Sequence, residues 1–124
     1  MVSPVMAALA DFIEAVNRTR QDEANCKAVR YRVITALHER TTPDSLGRDF
    51  PGQIAGHGVG SVQITRNMNR ASRFTAAAKL LVLLEYADGS TASHVFLMAR
   101  EGRVWKVNDW PKNADFNMID IDFE

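Results

Sequence analysis

Residues 74–110, FTAAAKLLVLLEYADGSTASHVFLMAREGRVWKVNDW, hold three apolar runs separated by Asp88-Gly89 and Glu101-Gly102. Runs of this kind bounded by turn dipeptides form strands, and Asp-Gly is among the strongest short hairpin signals. The segment predicts a three-stranded antiparallel meander. Such a sheet must bury at least one face against a second layer. The amino terminus supplies that layer. Ser3 followed by Pro4 is an N-cap with proline at the first helical position, where its missing N–H is not needed. Val5, Leu9, Phe12, Ile13 and Val16 then recur on one face of a 3.6-period helix, while Asp11, Glu14, Asn17 and Arg18 fall largely elsewhere.

Between these two ends the pattern is mixed. In DEANCKAVRYRVITALHER, Cys26, Val29, Val33 and Leu37 suit a helix, although Val29, Tyr31 and Val33 also alternate as in a strand. The length of the run, a capping Asp22 and basic residues near its end favour a helix. Residues 41–60, TTPDSLGRDFPGQIAGHGVG, carry Pro43, Pro51 and a set of glycines, which reads as a loop with one short helical turn at PDSL. The stretch GHGVG lacks the lysine and the spacing of a phosphate-binding loop. From Ser61 the period changes to two, with Val62 and Ile64 alternating against Ser61, Gln63 and Thr65 as in a half-exposed strand. The tail, PKNADFNMIDIDFE, reads as a short edge strand or an ordered tail. The fold class that follows is α+β, a single domain over residues 1–124. Its amino-terminal helices pack on the concave face of a curved antiparallel sheet that ends in the meander.

Composition narrows the function. The 15 Lys and Arg balance 15 Asp and Glu, so no net field attracts phosphate backbones or anionic lipid, and no nucleic-acid partner is expected. Cys26 is the single cysteine, which excludes an intramolecular disulfide and a cysteine-based zinc site, and it reads as a small buried apolar residue. His38, His57 and His94 are scattered without ligand spacing, so neither a metal nor a cofactor is expected. The apolar start lacks a basic leader, Asp11 and Glu14 interrupt it, and no run approaches the roughly 20 apolar residues of a membrane helix. A cytoplasmic location is the expectation.

Two-residue loops at both turns fix a register in which opposite residues share a face. One face then carries Leu81, Leu83, His94, Phe96, Met98, Trp105, Val107 and Asp109, with His94 directly opposite Asp109. An imidazole beside a carboxylate is held in one tautomer with a raised pKa, and its free nitrogen can serve as acid or base near neutral pH. His94 and Asp109 are therefore the candidate catalytic pair. Phe12 from the first helix, with Leu83, Phe96, Met98 and Trp105 from the sheet, would line a pocket for a small apolar molecule. The opposite face would expose Leu80, Val82, Leu84, Val95, Leu97 and Val104, rimmed by Thr91, Ser93, Lys106 and Asn108. A contiguous aliphatic patch of that kind predicts a homodimer through the outer sheet face.

Helices, a loop, and a meander ending in DGST…VFLMAREGRVWKV resemble the nuclear-transport-factor-2-like superfamily, the cone-shaped α+β fold of ketosteroid isomerases and polyketide cyclases. The likeness covers residues 3–20 and about 61–110 and lies in element order and in the last hairpin. It implies a pocket between the first helix and the concave sheet, and dimerisation through the sheet. The isomerase tyrosine and two aspartates have no matching positions, so steroid isomerisation is not implied. The leading expectation is a pocket protein acting as a lyase, isomerase or hydrolase through His94 and Asp109. The competing one is a non-catalytic binding or interaction module whose pocket is filled by side chains.

Overall fold

A computed structural model describes residues 3–19, 22–121 and 123. Helix α1 spans Pro4–Thr19, α2 Glu23–Arg30 and α3 Pro43–Asp49, with a 3-10 turn at Thr35–Leu37. Four strands follow: β1 Ile54–Arg66, β2 Phe74–Tyr86, β3 Thr91–Glu101 and β4 Val104–Asp109. They form one antiparallel sheet in the order β1-β2-β3-β4. The architecture is α+β, with helices on the concave face of a curved sheet that ends in the meander.

Helix α1 buries Val5, Leu9, Phe12, Ile13 and Val16, the stripe that its apolar spacing predicts. Its Ser3 hydroxyl accepts a hydrogen bond from the Met6 N–H. Helix α2 begins where expected, with Asp22 Oδ1 accepting from Ala24 N–H at 2.9 Å. It ends at Arg30, however, well short of the helix that the sequence predicts. Tyr31 caps the helix in a turn, and the chain then leaves the helical path at Val33. Val33 forms a parallel bridge with Val107, Ile34 N–H donates to the Val107 carbonyl and Val107 N–H to the Arg32 carbonyl. The capped turn at Pro43 is a full short helix, closed by reciprocal bonds between Thr42 and Ser45. The glycine-rich stretch is not loop as far as Gly60: β1 already starts at Ile54. The long β2 offers a partner along this whole segment, and bulges at Ile54/Gly56 and Val59/Ser61 absorb the irregularity.

The first hairpin corrects the expected register. Tyr86 N–H donates to the Ser90 carbonyl at 2.8 Å and Gly89 N–H to the Tyr86 carbonyl at 2.9 Å, so three residues make the loop instead of two. Gly89 takes φ +88°, a left-handed conformation that costs a residue with a Cβ. The extra residue moves β2 by one position against β3 and turns every one of its side chains over. Leu80, Val82 and Leu84 consequently face the helices and are fully buried, opposite Phe96, His94 and Ala92. Leu83, expected in the pocket, is 53% exposed on the other side.

The outer aliphatic patch that the sequence predicts therefore does not form, since Leu80, Val82 and Leu84, three of its six members, lie in the core. Part of what remains of that face is covered within the chain. Lys79 points outward, and its Nζ donates to the carbonyls of Phe116 and Ile119 while lying 4.6 Å from the centroid of the Phe116 ring. Residues 111–121 thus cross the outer face as an ordered tail. Val95 is fully buried on that face, Asp120 and Ile121 border the crevice beside Leu97, and Val104 stays exposed.

The register yields a sharp contrast between neighbours. Leu84→Asp, which places a charge in the core, is expected to abolish the cooperative thermal transition, whereas Leu83→Asp should shift stability by less than about 1 kcal/mol. Equal effects of the two in denaturant unfolding would contradict this pairing.

Candidate functional site

The site lies where β3 meets the chain leaving β4. His94, on β3, pairs with Val82 on one side and forms an antiparallel bridge with Lys112 on the other. Its Nδ1 lies 2.8 Å from the Trp110 carbonyl oxygen. A carbonyl can only accept, so Nδ1 carries the proton and donates, which leaves the lone pair on Nε2. That nitrogen is buried and has no hydrogen-bond partner among the described residues. The ring is 1% exposed, with the rings of Phe50 and Phe96 at 5.5 and 5.9 Å.

Trp110 is the hub of this corner. Its main-chain N–H donates to Asp109 Oδ1 at 2.8 Å, its carbonyl accepts from His94, and its indole N–H donates to Asp49 Oδ2 at 2.9 Å. A buried indole needs such a partner, and the end of α3 supplies one. The Trp110 ring in turn packs 5.2 Å from Phe12 and 5.6 Å from Phe50. Outside it opens a cleft of about 210 Å³ lined by Arg48, Asp49, His94, Asp109, Trp110, Pro111 and Lys112.

His94 and Asp109 thus border one cleft without forming the expected pair. The second loop consists of Gly102 and Arg103, one residue later than predicted, so Met98 faces Val107. An irregularity between Leu97 and Met98 then sets Asp109 opposite Leu97. The Asp109 carboxylate binds its own neighbour's N–H, and the imidazole is oriented by a main-chain carbonyl. The expected rise in the His94 pKa is reversed as well. Burial pushes it below its ordinary 6.5, the Trp110 carbonyl opposes this, and of the nearby charges Lys112 lowers it and Asp49 raises it.

The predicted pocket residues are dispersed. Phe12, Phe96 and Met98 lie in the closed core, exposed by 1% or less. Trp105 is half-buried under the Arg100 guanidinium, 6.0 Å from its ring centroid, and borders a separate groove beside Pro4 and Tyr31. His57 is exposed on β1, and His38 Nε2 lies 3.3 Å from the Val33 carbonyl. Cys26 is buried, and burial raises its thiol pKa. No group of three metal-ligating side chains occurs among the described residues. No helix among them is long and apolar enough to cross a membrane.

Sequence reasoning passed over Asp49, Phe50 and Trp110. The available signal was Trp110 itself, whose indole N–H requires an acceptor once the ring is buried. In comparisons with known proteins, no family model, curated protein or solved structure matches this chain.

A neutral imidazole held this way makes acid sensitivity specific. Because the folded pKa is depressed, the unfolded chain takes up the proton first, so His94 contributes fully above pH 6.5 and progressively less as pH falls toward its folded value. The stability difference between wild type and His94→Gln should therefore shrink below pH 6.5 in denaturant unfolding. By NMR, the wild-type His94 midpoint should lie below 6.5 and barely move in Asp109→Asn; a midpoint above 6.5 that drops on that substitution would contradict the geometry.

Proposed function

We propose that this chain is a non-catalytic interaction module on an α+β cone of the nuclear-transport-factor-2-like kind, with its interior filled by its own side chains. The observation that carries the reading is the ring cluster at the heart of the cone. Phe12 lies 6.1 Å from Phe50 and 5.8 Å from Phe96 in edge-to-face contacts, and Trp110 closes the group. Phe12, Phe50 and Phe96 are all fully buried. The space between first helix and sheet, where the resemblance implies a ligand, is occupied by these rings. The helix-then-meander order supports the superfamily likeness without bringing catalytic residues with it.

The enzyme reading loses its two supports, an apolar cavity and a coupled His-Asp pair. His94 faces two phenyl rings, and an acid or base must reach the proton it transfers. One observation favours a second, narrower reading. The unpartnered Nε2 leaves a buried acceptor at the edge of a polar cleft, which suits a small ligand able to donate a hydrogen bond there.

The two are separated by a thermal-shift series with indole, phenol and naphthalene. A filled interior predicts no saturable stabilisation of the wild type, and gain of binding when a ring is removed, as in Phe12→Leu, by analogy with cavities that admit benzene. Saturable stabilisation of the wild type by indole or phenol but not naphthalene, lost in His94→Gln, would overturn the module reading in favour of a ligand site.

A further inference from the structure

A groove opens where three separate pieces of the chain meet: the first turns of α1, the turn that follows α2, and the start of β4. Its volume is about 320 Å³, larger than that of the cleft outside Trp110. The helix wall offers the small side chains of Pro4, Ala7 and Ala8, and the opposite walls carry Tyr31, Val104 and Trp105. Tyr31 is 63% exposed and Val104 57%, so large apolar side chains that the core does not use meet water together. Tryptophan, tyrosine and arginine are the residues that most often carry binding energy at protein interfaces, and this groove is lined by all three.

Its charges are one-sided. Arg32 and Arg103 border the groove, and neither forms an ion pair among the described residues. A third guanidinium, that of Arg100, lies 6.0 Å from the Trp105 ring centroid, and its Nε donates to the Thr75 hydroxyl, not to a carboxylate. Among the described residues Asp11 is the one carboxylate lining the groove. The whole chain is neutral, with 15 charges of each sign, so the excess of cations is local. An apolar floor bordered by unpaired guanidiniums is complementary to an occupant that brings an apolar side chain and carboxylates together. A nucleic-acid strand also offers flat rings and negative charge, but its phosphates need a continuous basic track. Here Asp11 in the groove and the exposed Glu14 further along α1 interrupt any such track.

We propose that this groove docks a partner protein through a short acidic segment, with an apolar side chain seated against Ala7, Tyr31 and Trp105 and flanking carboxylates paired to Arg32 and Arg103. The inference rests on the interaction-module reading and names the surface and the partner of that module. Partly desolvated guanidinium–carboxylate pairs give the contact its specificity, and the aromatic floor gives it its affinity.

The test is fluorescence anisotropy of a labelled, terminally blocked peptide, Gly-Glu-Asp-Phe-Asp-Glu-Gly, titrated with the full chain at low ionic strength. Binding should saturate and should weaken as salt is added. The double variant Arg32→Glu, Arg103→Glu should weaken it by about tenfold or more, and Tyr31→Ser should weaken it as well. All three side chains are exposed, so circular dichroism should show an unchanged fold. Arg48→Glu, beside the other cleft, should leave binding as it is. Absence of saturable binding up to millimolar protein, indifference to the double variant, or equal binding of a peptide with lysine in place of each acid would overturn the proposal. So would displacement of the peptide by a single-stranded oligonucleotide that itself binds more tightly, which would make the groove a nucleic-acid site. None of these outcomes bears on the filled interior, which the ring-compound series decides.

Discussion

The backbone closure between Tyr86 and Ser90 governs much of this molecule. Gly89 adopts φ +88° and lengthens the hairpin loop to three residues. Parity along a strand is absolute, so that single residue decides which alternate set of β2 side chains meets the helices. It sends Leu80, Val82 and Leu84 inward and Lys79 outward. The inward set supplies the aliphatic floor on which Phe12 and Phe96 meet. The outward lysine gives the acidic tail a cation that its Phe116 and Ile119 carbonyls and Phe116 ring settle on, so part of that face is covered by the chain itself.

The second governing contact is the Trp110 corner. Three hydrogen bonds hold this residue to Asp49, His94 and Asp109, which ties α3, β3 and the exit from β4 together. The histidine placed there acts as a fixed donor. Its Nδ1–H satisfies a main-chain carbonyl, and burial beside two phenyl rings lowers its pKa. By its bonds, the site joins α3, β3 and the exit from β4, and His94 and Asp109 do not bond to each other there. What it leaves unanswered chemically is one lone pair on Nε2.

The elements with strong local signals were legible in the sequence. Proline at the start of α1, its apolar stripe and the Asp22 cap found their expected places, both hairpins turn near the predicted dipeptides although with a different loop length or position, and with these elements came the α+β class. The misreadings share a cause, which is that pairing depends on partners distant in sequence. Val33 left its helix because Val107 offered it a bridge. Gly56, Gly58 and Gly60 became strand because β2 runs the whole length of that segment. The hairpin parity could not be read from Asp88-Gly89 alone, since the same dipeptide fits a two-residue or a three-residue loop. The His94 and Asp109 pairing inherited a turn placed one residue early and a bulge with no sequence marker. They still border the same cleft, because both strands end at the same corner of the sheet.

Cross-strand backbone nuclear Overhauser effects between β2 and β3 test the account most directly. They should connect Val82 with His94 and Leu80 with Phe96, the pairs that put the aliphatic set of β2 against the ring cluster. Effects connecting Leu83 with His94 and Leu81 with Phe96 would mean a two-residue loop, an inverted β2 and an interior built from different side chains, and would contradict the filled cone on which the functional reading stands.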